Sequence, residues 1–209
     1  MRFIQAWSYS CANYLMHQLD ENHEKRGVYY YGFQVIIGAL VKGVLLVAIT
    51  LLLRTLLPTL IAVLLFSSLR MLAGGYHMDT YGKCIATSLG LFVVAGLVDK
   101  YTYQYWDIVW VIAFVVLSFV IGMLVIIKYA PKDTPNKPIT KPEEIRKFKN
   151  LSITYMFAWL ILASVLVYLK LDLYVLAVCF GMLLEIFTVS PLGHNFFDRI
   201  SGKFEQLKN

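Results

Sequence analysis

The sequence predicts an all-α protein, a polytopic transmembrane helical bundle of about six spans with an amphipathic helix at its N-terminus. Three observations predict it. Of 209 residues, 59% are hydrophobic, and the mean hydropathy is +0.65; a soluble domain runs nearer half apolar. Apolar stretches recur along most of the chain, several of them near the roughly 20 residues that a helix needs to cross about 30 Å of hydrocarbon. The basic residues gather in alternate connections, as the positive-inside rule requires of a multi-pass protein.

Residues 1–27 place Phe3, Trp7, Cys11, Tyr14 and Leu15 at helical spacing, with Gln5, Ser8, Asn13 and Gln18 between them. This predicts an amphipathic helix on the membrane surface or against the bundle. The segment has no apolar run followed by a small-residue cleavage site, so a cleavable signal peptide is not expected. The spans are then Tyr30–Leu53, Leu56–Leu72, Cys84–Val98, Ile108–Ile127, Leu151–Leu169 and Leu173–Val189. Pro58 falls in the first turn of the second, where proline is tolerated. The third is short, so its polar end is expected to be shielded by protein. Lys128–Asn150 reads as a basic loop, Lys170–Asp172 as a tight connection, and residues 191–209 as a polar tail. The whole forms one membrane domain.

With six spans and both termini on one side, that side holds Arg2, Lys25, Arg26, Arg70, Lys83, the basic residues of 128–149, Arg199, Lys203 and Lys208. The opposite side holds only Arg54, Lys100 and Lys170. The first side is therefore expected to be cytoplasmic. The net charge of +6 is read as topology, and a nucleic-acid partner is not expected. Tyr29–Tyr31 and Tyr101–Trp106 mark interfaces.

The candidate chemistry lies on the cytoplasmic side, in Arg70-Met-Leu-Ala-Gly-Gly-Tyr-His77-Met-Asp79-Thr-Tyr-Gly-Lys-Cys84. A thiol attacks as its thiolate, a form that a neighbouring histidine or a helix N-terminus favours. Cys84 opens the third span and His77 precedes it by seven positions. One continuous helix would separate them by about 10 Å, too far for a hydrogen bond. Gly74, Gly75 and Gly82 argue for a break that lets the imidazole turn back over the thiol. Arg70 is a candidate to bind a carboxylate or an oxyanion, together with Gly75. Asp79 is a candidate to orient the imidazole. Cys11 and Cys179 read as packing, and His17, His23 and His194 as interfacial or solvated.

No metal or cofactor is expected. The sequence has no HExxH, no CxxC and no Gly-rich phosphate loop. Lys42 lies midway along the first span and Glu185 deep in the last. Intramembrane charges face the bundle interior and pair, so the two are expected to meet or to line a polar cavity. An alternative reading makes them pathway residues of a small peptide or ion transporter, and a third makes the protein a non-catalytic scaffold.

Two motifs carry a family resemblance. The first is Arg70, Gly74-Gly75-Tyr76-His77 and Cys84; the second is Tyr129-Ala-Pro-Lys132-Asp-Thr-Pro135-Asn-Lys137-Pro138-Ile139. With both in this order, nearly the whole chain except its extreme C-terminus resembles the accessory gene regulator protein B (AgrB) family, membrane peptidases of Gram-positive quorum sensing. The resemblance implies an AgrD-like propeptide as substrate, His77 and Cys84 as the catalytic pair, and a homodimer in the cell membrane. It implies cleavage of the propeptide's acidic tail through a Cys84 thioester, followed by closure of a thiolactone or lactone ring. Lys132 and Lys137 then become candidates to bind the acidic tail, as against the plainer role of contacting anionic lipid. Pro135 and Pro138 are expected to stiffen the loop near the catalytic segment.

Overall fold

The structure, a computed structural model, describes residues 2–19, 25–76, 78, 80–132 and 141–201. The helices are α1 (Arg2–Leu19), α2 (Arg26–Leu52), α3 (Leu56–Ala73), α4 (Tyr81–Thr102), α5 (Ile108–Tyr129), α6 (Pro142–Tyr168), α7 (Asp172–Val189) and α8 (Pro191–Ser201). A 3₁₀ turn, Tyr103–Tyr105, extends α4. Among the described residues, six helical segments, corresponding to α2 through α7, are long and apolar enough to span a membrane. The protein is therefore a multi-pass membrane protein. Backbone hydrogen bonds closed within each helix are what allow such a chain to cross hydrocarbon.

Two short connections make α2–α3 and α6–α7 into antiparallel hairpins. Both end in the same device. Arg54 and Lys170 take positive φ, 54° and 56°. After Arg54, Thr55 N–H donates to the Thr50 carbonyl at 2.8 Å, while Arg54 N–H donates to Leu51 at 3.1 Å. Leu171 to Leu166 and Lys170 to Val167 repeat this pairing at 3.0 Å each. This is a Schellman closure, which satisfies carbonyls that a helix end leaves open. It does so here with a basic residue where glycine is usual.

The core is organised on α7. Its buried residues include Val175, Leu176, Cys179, Met182, Glu185 and Val189, with α3, α5 and α6 packed around them. Gly181 lets α7 approach α3 closely, since a Cβ there would overlap the Ala62 backbone. Small residues at such crossings replace the hydrophobic drive that lipid removes. Trp159 Nε1 donates to the Val178 carbonyl at 3.1 Å, and Ser68 Oγ lies 2.6 Å from Tyr155 Oη. Outward positions such as Val109, Val116 and Leu124 are exposed in the bare protein, as lipid-facing residues are.

Three elements differ from the sequence reading, while α1 takes the bundle-packed of its two expected positions. The third span is not short: α4 has 22 residues, about 33 Å at the usual rise. It begins before Cys84 because Thr80 caps it, accepting from Lys83 N–H at 3.4 Å, and it runs past Val98 through the buried Asp99. α6 begins within the expected basic loop, at Pro142, with Glu143 and Glu144 in its first turn. There a proline costs no hydrogen bond and acidic side chains suit the helix dipole. The expected polar tail contains α8. Ser190 caps that helix, its Oγ accepting from Gly193 N–H at 3.1 Å, and Pro191 opens it. Finally, α1 packs on α2 through Ile4, Ser8, Ala12 and Met16, while the aromatic face with Phe3 and Trp7 is exposed.

Candidate functional site

The chain leaves helix at Gly74 and re-enters it at Tyr81, so the break expected between His77 and Cys84 is present. His77 and Asp79 lie outside the described residues, as do Pro135, Lys137 and Pro138. Gly74 and Gly75 have φ of 74° and 139°, values that side chains with a Cβ rarely adopt. Gly82 is different. It is inside α4, with nothing within 4 Å of a Cβ built on it, so it takes no part in the break.

Gly74 forms an isolated parallel bridge with Lys132, whose N–H donates to the Ala73 carbonyl at 2.8 Å. The two sequence motifs thus meet through backbone at one end of the bundle. A Cβ at Gly74 would overlap the Lys132 carbonyl oxygen. Gly74→Ala combines that clash with an unfavourable φ and should lower thermal stability in detergent by about 1–3 kcal/mol. Gly82→Ala should be neutral or slightly stabilising. Equal effects of the two changes would contradict a specific role for the bridge.

The loop after Gly74 is braced by Arg70, one turn from the end of α3. Arg70 Nη1 is 3.5 Å from Glu185 Oε2 and donates to Thr188 Oγ1 at 3.1 Å; Nη2 donates to the Tyr76 carbonyl. Thr188 Oγ1 lies 3.1 Å from Glu185 Oε2, and Tyr76 N–H donates to the Thr188 carbonyl at 3.1 Å. Glu185 is fully buried, at 0% exposure. A buried carboxylate without a partner is costly, and one held by a guanidinium and a hydroxyl is not. Glu185 therefore pairs with Arg70, and the Lys42–Glu185 contact considered from sequence is not the pairing found. Gly75 packs on this network: a Cβ there would lie 2.5 Å from Thr188 Oγ1 and 2.8 Å from Arg70 Nη1.

α8 closes over the same loop. The Tyr76 ring stacks on Phe197 with centroids 5.2 Å apart, and its hydroxyl donates to Asp198 at 2.8 Å. Lys83 Nζ donates to the Ser201 carbonyl at 2.8 Å. Sequence reasoning missed this clamp. Its signal was Ser190-Pro191 followed by Leu192, Phe196, Phe197 and Ile200, an amphipathic pattern short enough to pass for tail.

Between these elements is a cavity of about 170 Å³, lined among others by Lys42, Arg70, Tyr76, Cys84, Thr188 and Phe197. Cys84 is exposed, whereas Cys179 is buried and Cys11 is intermediate. Cys84 lies in the first turn of α4, where its own N–H donates to the Thr80 carbonyl at 3.0 Å. The N-terminal dipole there favours an anion. Only this thiol of the three lines the cavity. Lys132 is half-buried beside Gly74, at the same end of the bundle.

The family model described as Accessory gene regulator B matches residues 8–189. Accessory gene regulator protein B of Staphylococcus lugdunensis is 28% identical over 181 residues, covering 87% of this chain and 90% of that protein. The Staphylococcus intermedius protein of the same name is 28% identical over 162 residues, covering 77% and 80%. An AgrB-like protein of Clostridium perfringens is 25% identical over 187 residues, covering 85% and 86%. No solved structure matches the chain. The match over nearly the whole bundle, spanning both motifs that meet at Gly74, shows that this chain belongs to the accessory gene regulator B family of quorum-sensing membrane proteins.

Proposed function

We propose that the protein is a membrane cysteine endopeptidase that removes the C-terminal tail of an AgrD-like propeptide. The observation that carries this reading is the position of Cys84: exposed, in the first turn of α4, lining a cavity together with Arg70, Tyr76 and Met78. A nucleophile needs an accessible sulfur, a nearby base and room for a peptide. The cavity gives the sulfur access and room for part of a peptide at its reacting end, and His77, seven residues before Cys84 in the sequence, is assigned as the base.

In this reading His77 takes the Cys84 proton, and the sulfur adds to the peptide carbonyl. The carbonyl π pair moves to oxygen and returns as the carbon–nitrogen bond breaks. The tail leaves as an amine carrying the proton from the imidazolium. The acyl group remains on Cys84 as a thioester. An internal cysteine or serine of the propeptide displaces it, freeing the thiol and closing a thiolactone or lactone. Asp79 orients His77. Lys132 and Lys137 draw in the acidic tail, with Pro135 and Pro138 stiffening their loop. The pattern of basic residues supports a cytoplasmic site, where a newly made propeptide is found. The working unit is a homodimer in the cell membrane.

The test uses the purified protein in lipid nanodiscs, which have no inner and outer compartment. Incubation with the propeptide should release the free tail peptide, detected by mass spectrometry. Transport has no readout in a nanodisc. Absence of tail release there, with transport in sealed vesicles, would favour the transporter reading through Lys42 and Glu185.

A further inference from the structure

The cavity holds two cations from the spans, Lys42 of α2 and Arg70 of α3, and they are not equivalent. Arg70 is committed to Glu185, Thr188 and the Tyr76 carbonyl. Its charge is balanced by Glu185, and its donors hold the loop. Lys42 has neither a salt-bridge partner nor a hydrogen-bond acceptor among the described residues. Its Nζ lies 6.0 Å from the centre of the Phe92 ring, and Phe92 packs edge-on against Phe66 at 5.0 Å. The Arg70 guanidinium carbon sits 5.6 Å from the centre of Phe66. An aromatic pair therefore lies beneath two cations, only one of which has its charge answered among the described residues.

Cys84, Ser88 and Phe92 follow at intervals of four along α4, so they share one face of the helix. Lys42 stands over the inner end of that face and Cys84 lies at its outer end, both lining the cavity. An ammonium midway along an apolar span is costly to keep, and an aromatic face offsets only part of that cost. We infer that Lys42 is a positioning residue of this site, whose charge, unanswered among the described residues, makes the cavity attract negative charge toward Cys84. This rests on the peptidase reading for its purpose. The charge it holds is that of the attacking sulfur, and then of the oxyanion formed when that sulfur adds to the peptide carbonyl.

The experiment has two arms on the full chain in nanodiscs. In the first, Cys84 is modified by two methanethiosulfonates of similar size, one carrying a sulfonate and one a trimethylammonium. Peptide mass spectrometry separates Cys84 from Cys11 and Cys179. In the wild type the sulfonate should react faster. Lys42→Gln should lower the sulfonate-to-trimethylammonium rate ratio about tenfold, and Lys42→Arg should keep it. A faster trimethylammonium reaction in the wild type would overturn the inference without any variant, as would an unchanged ratio in Lys42→Gln. In the second arm, Lys42→Gln should lower kcat for propeptide cleavage about tenfold or more with little change in KM, and Lys42→Arg should restore it. A loss carried by KM alone, or no rescue by arginine, overturns the positioning role. If the charge preference is found but the wild type cleaves no propeptide, the peptidase reading fails and the cationic cavity stands.

Discussion

Cys84→Ala and Cys84→Ser should each abolish propeptide cleavage, by about 10³-fold or more, while leaving the protein folded in the membrane. The two halves of this expectation have separate causes. The loss follows from chemistry. Alanine has no nucleophile, and a serine hydroxyl in a site tuned to a thiol is far less reactive. The retained fold follows from exposure. The Cys84 side chain faces the cavity, so removing its sulfur leaves no hole in a packed core. Cys179 provides the opposite case. It sits at 0% exposure within the central cluster around α7. Cys179→Ala should lower stability by about 1 kcal/mol through lost packing yet preserve cleavage. Thermal unfolding in detergent and tail release, measured on all three variants, separate the two roles. Activity in Cys84→Ala would exclude it as the nucleophile.

Arg70→Met should lower stability by about 3 kcal/mol and reduce cleavage more than tenfold. Removing one partner of a buried pair leaves the other uncompensated, and this costs more than the intact pair contributes. Here the survivor is Glu185, fully buried at 0% exposure. The same change frees the Tyr76 carbonyl, and with it one anchor of the loop that carries His77. The double variant Arg70→Met/Glu185→Gln distinguishes the two consequences. It should recover much of the stability, because no carboxylate remains to be compensated. It should not recover activity, because the loop anchor is still missing. Parallel recovery of both would make Arg70 a purely structural residue.

The bundle was legible because lipid imposes a length. Runs such as Leu56–Leu72 and Ile108–Ile127 match α3 and α5 to within two residues at either end, since a spanning segment has little freedom to be shorter. What was missed lies where polar residues are helical. Lys141-Pro142-Glu143-Glu144 reads as loop by composition, but it is a helix start with proline at N1 and acids in the first turn. The segment after Ser190 contains Gly193, His194, Asn195 and Asp198, which read as tail, yet His194, Phe197 and Asp198 form the mixed face that α8 turns toward Tyr76. Part of the site was legible too. The Gly74-Gly75 break and the place of Cys84 at a helix start follow from residue type alone.

Of the two expectations for Lys42 and Glu185, a cavity is found for Lys42, whereas the partner of Glu185 is Arg70, and depth points to it. Arg70 is three residues before the end of α3 and Glu185 four before the end of α7, at the same end of the bundle. Lys42 is midway along α2, too deep to be the natural partner. Matching intramembrane charges by depth as well as sign would have chosen Arg70. The meeting of Gly74 with Lys132 had no such signal. It is a backbone contact between residues far apart in sequence, and neither side chain announces it.

In the proposed function, Cys84 carries the acyl group between cleavage and ring closure, and this is its decisive step. It is tested most directly by mixing protein and propeptide, quenching in acid within the first turnover, and mapping covalent adducts by mass spectrometry. A propeptide lacking its internal cysteine or serine should make the adduct accumulate, because the second displacement is blocked. The predicted result is a hydroxylamine-sensitive adduct on Cys84 with the mass of the propeptide minus its tail, absent from Cys84→Ala. Tail release that proceeds with no adduct on Cys84 at any time, or with the acyl group on another residue, would contradict it.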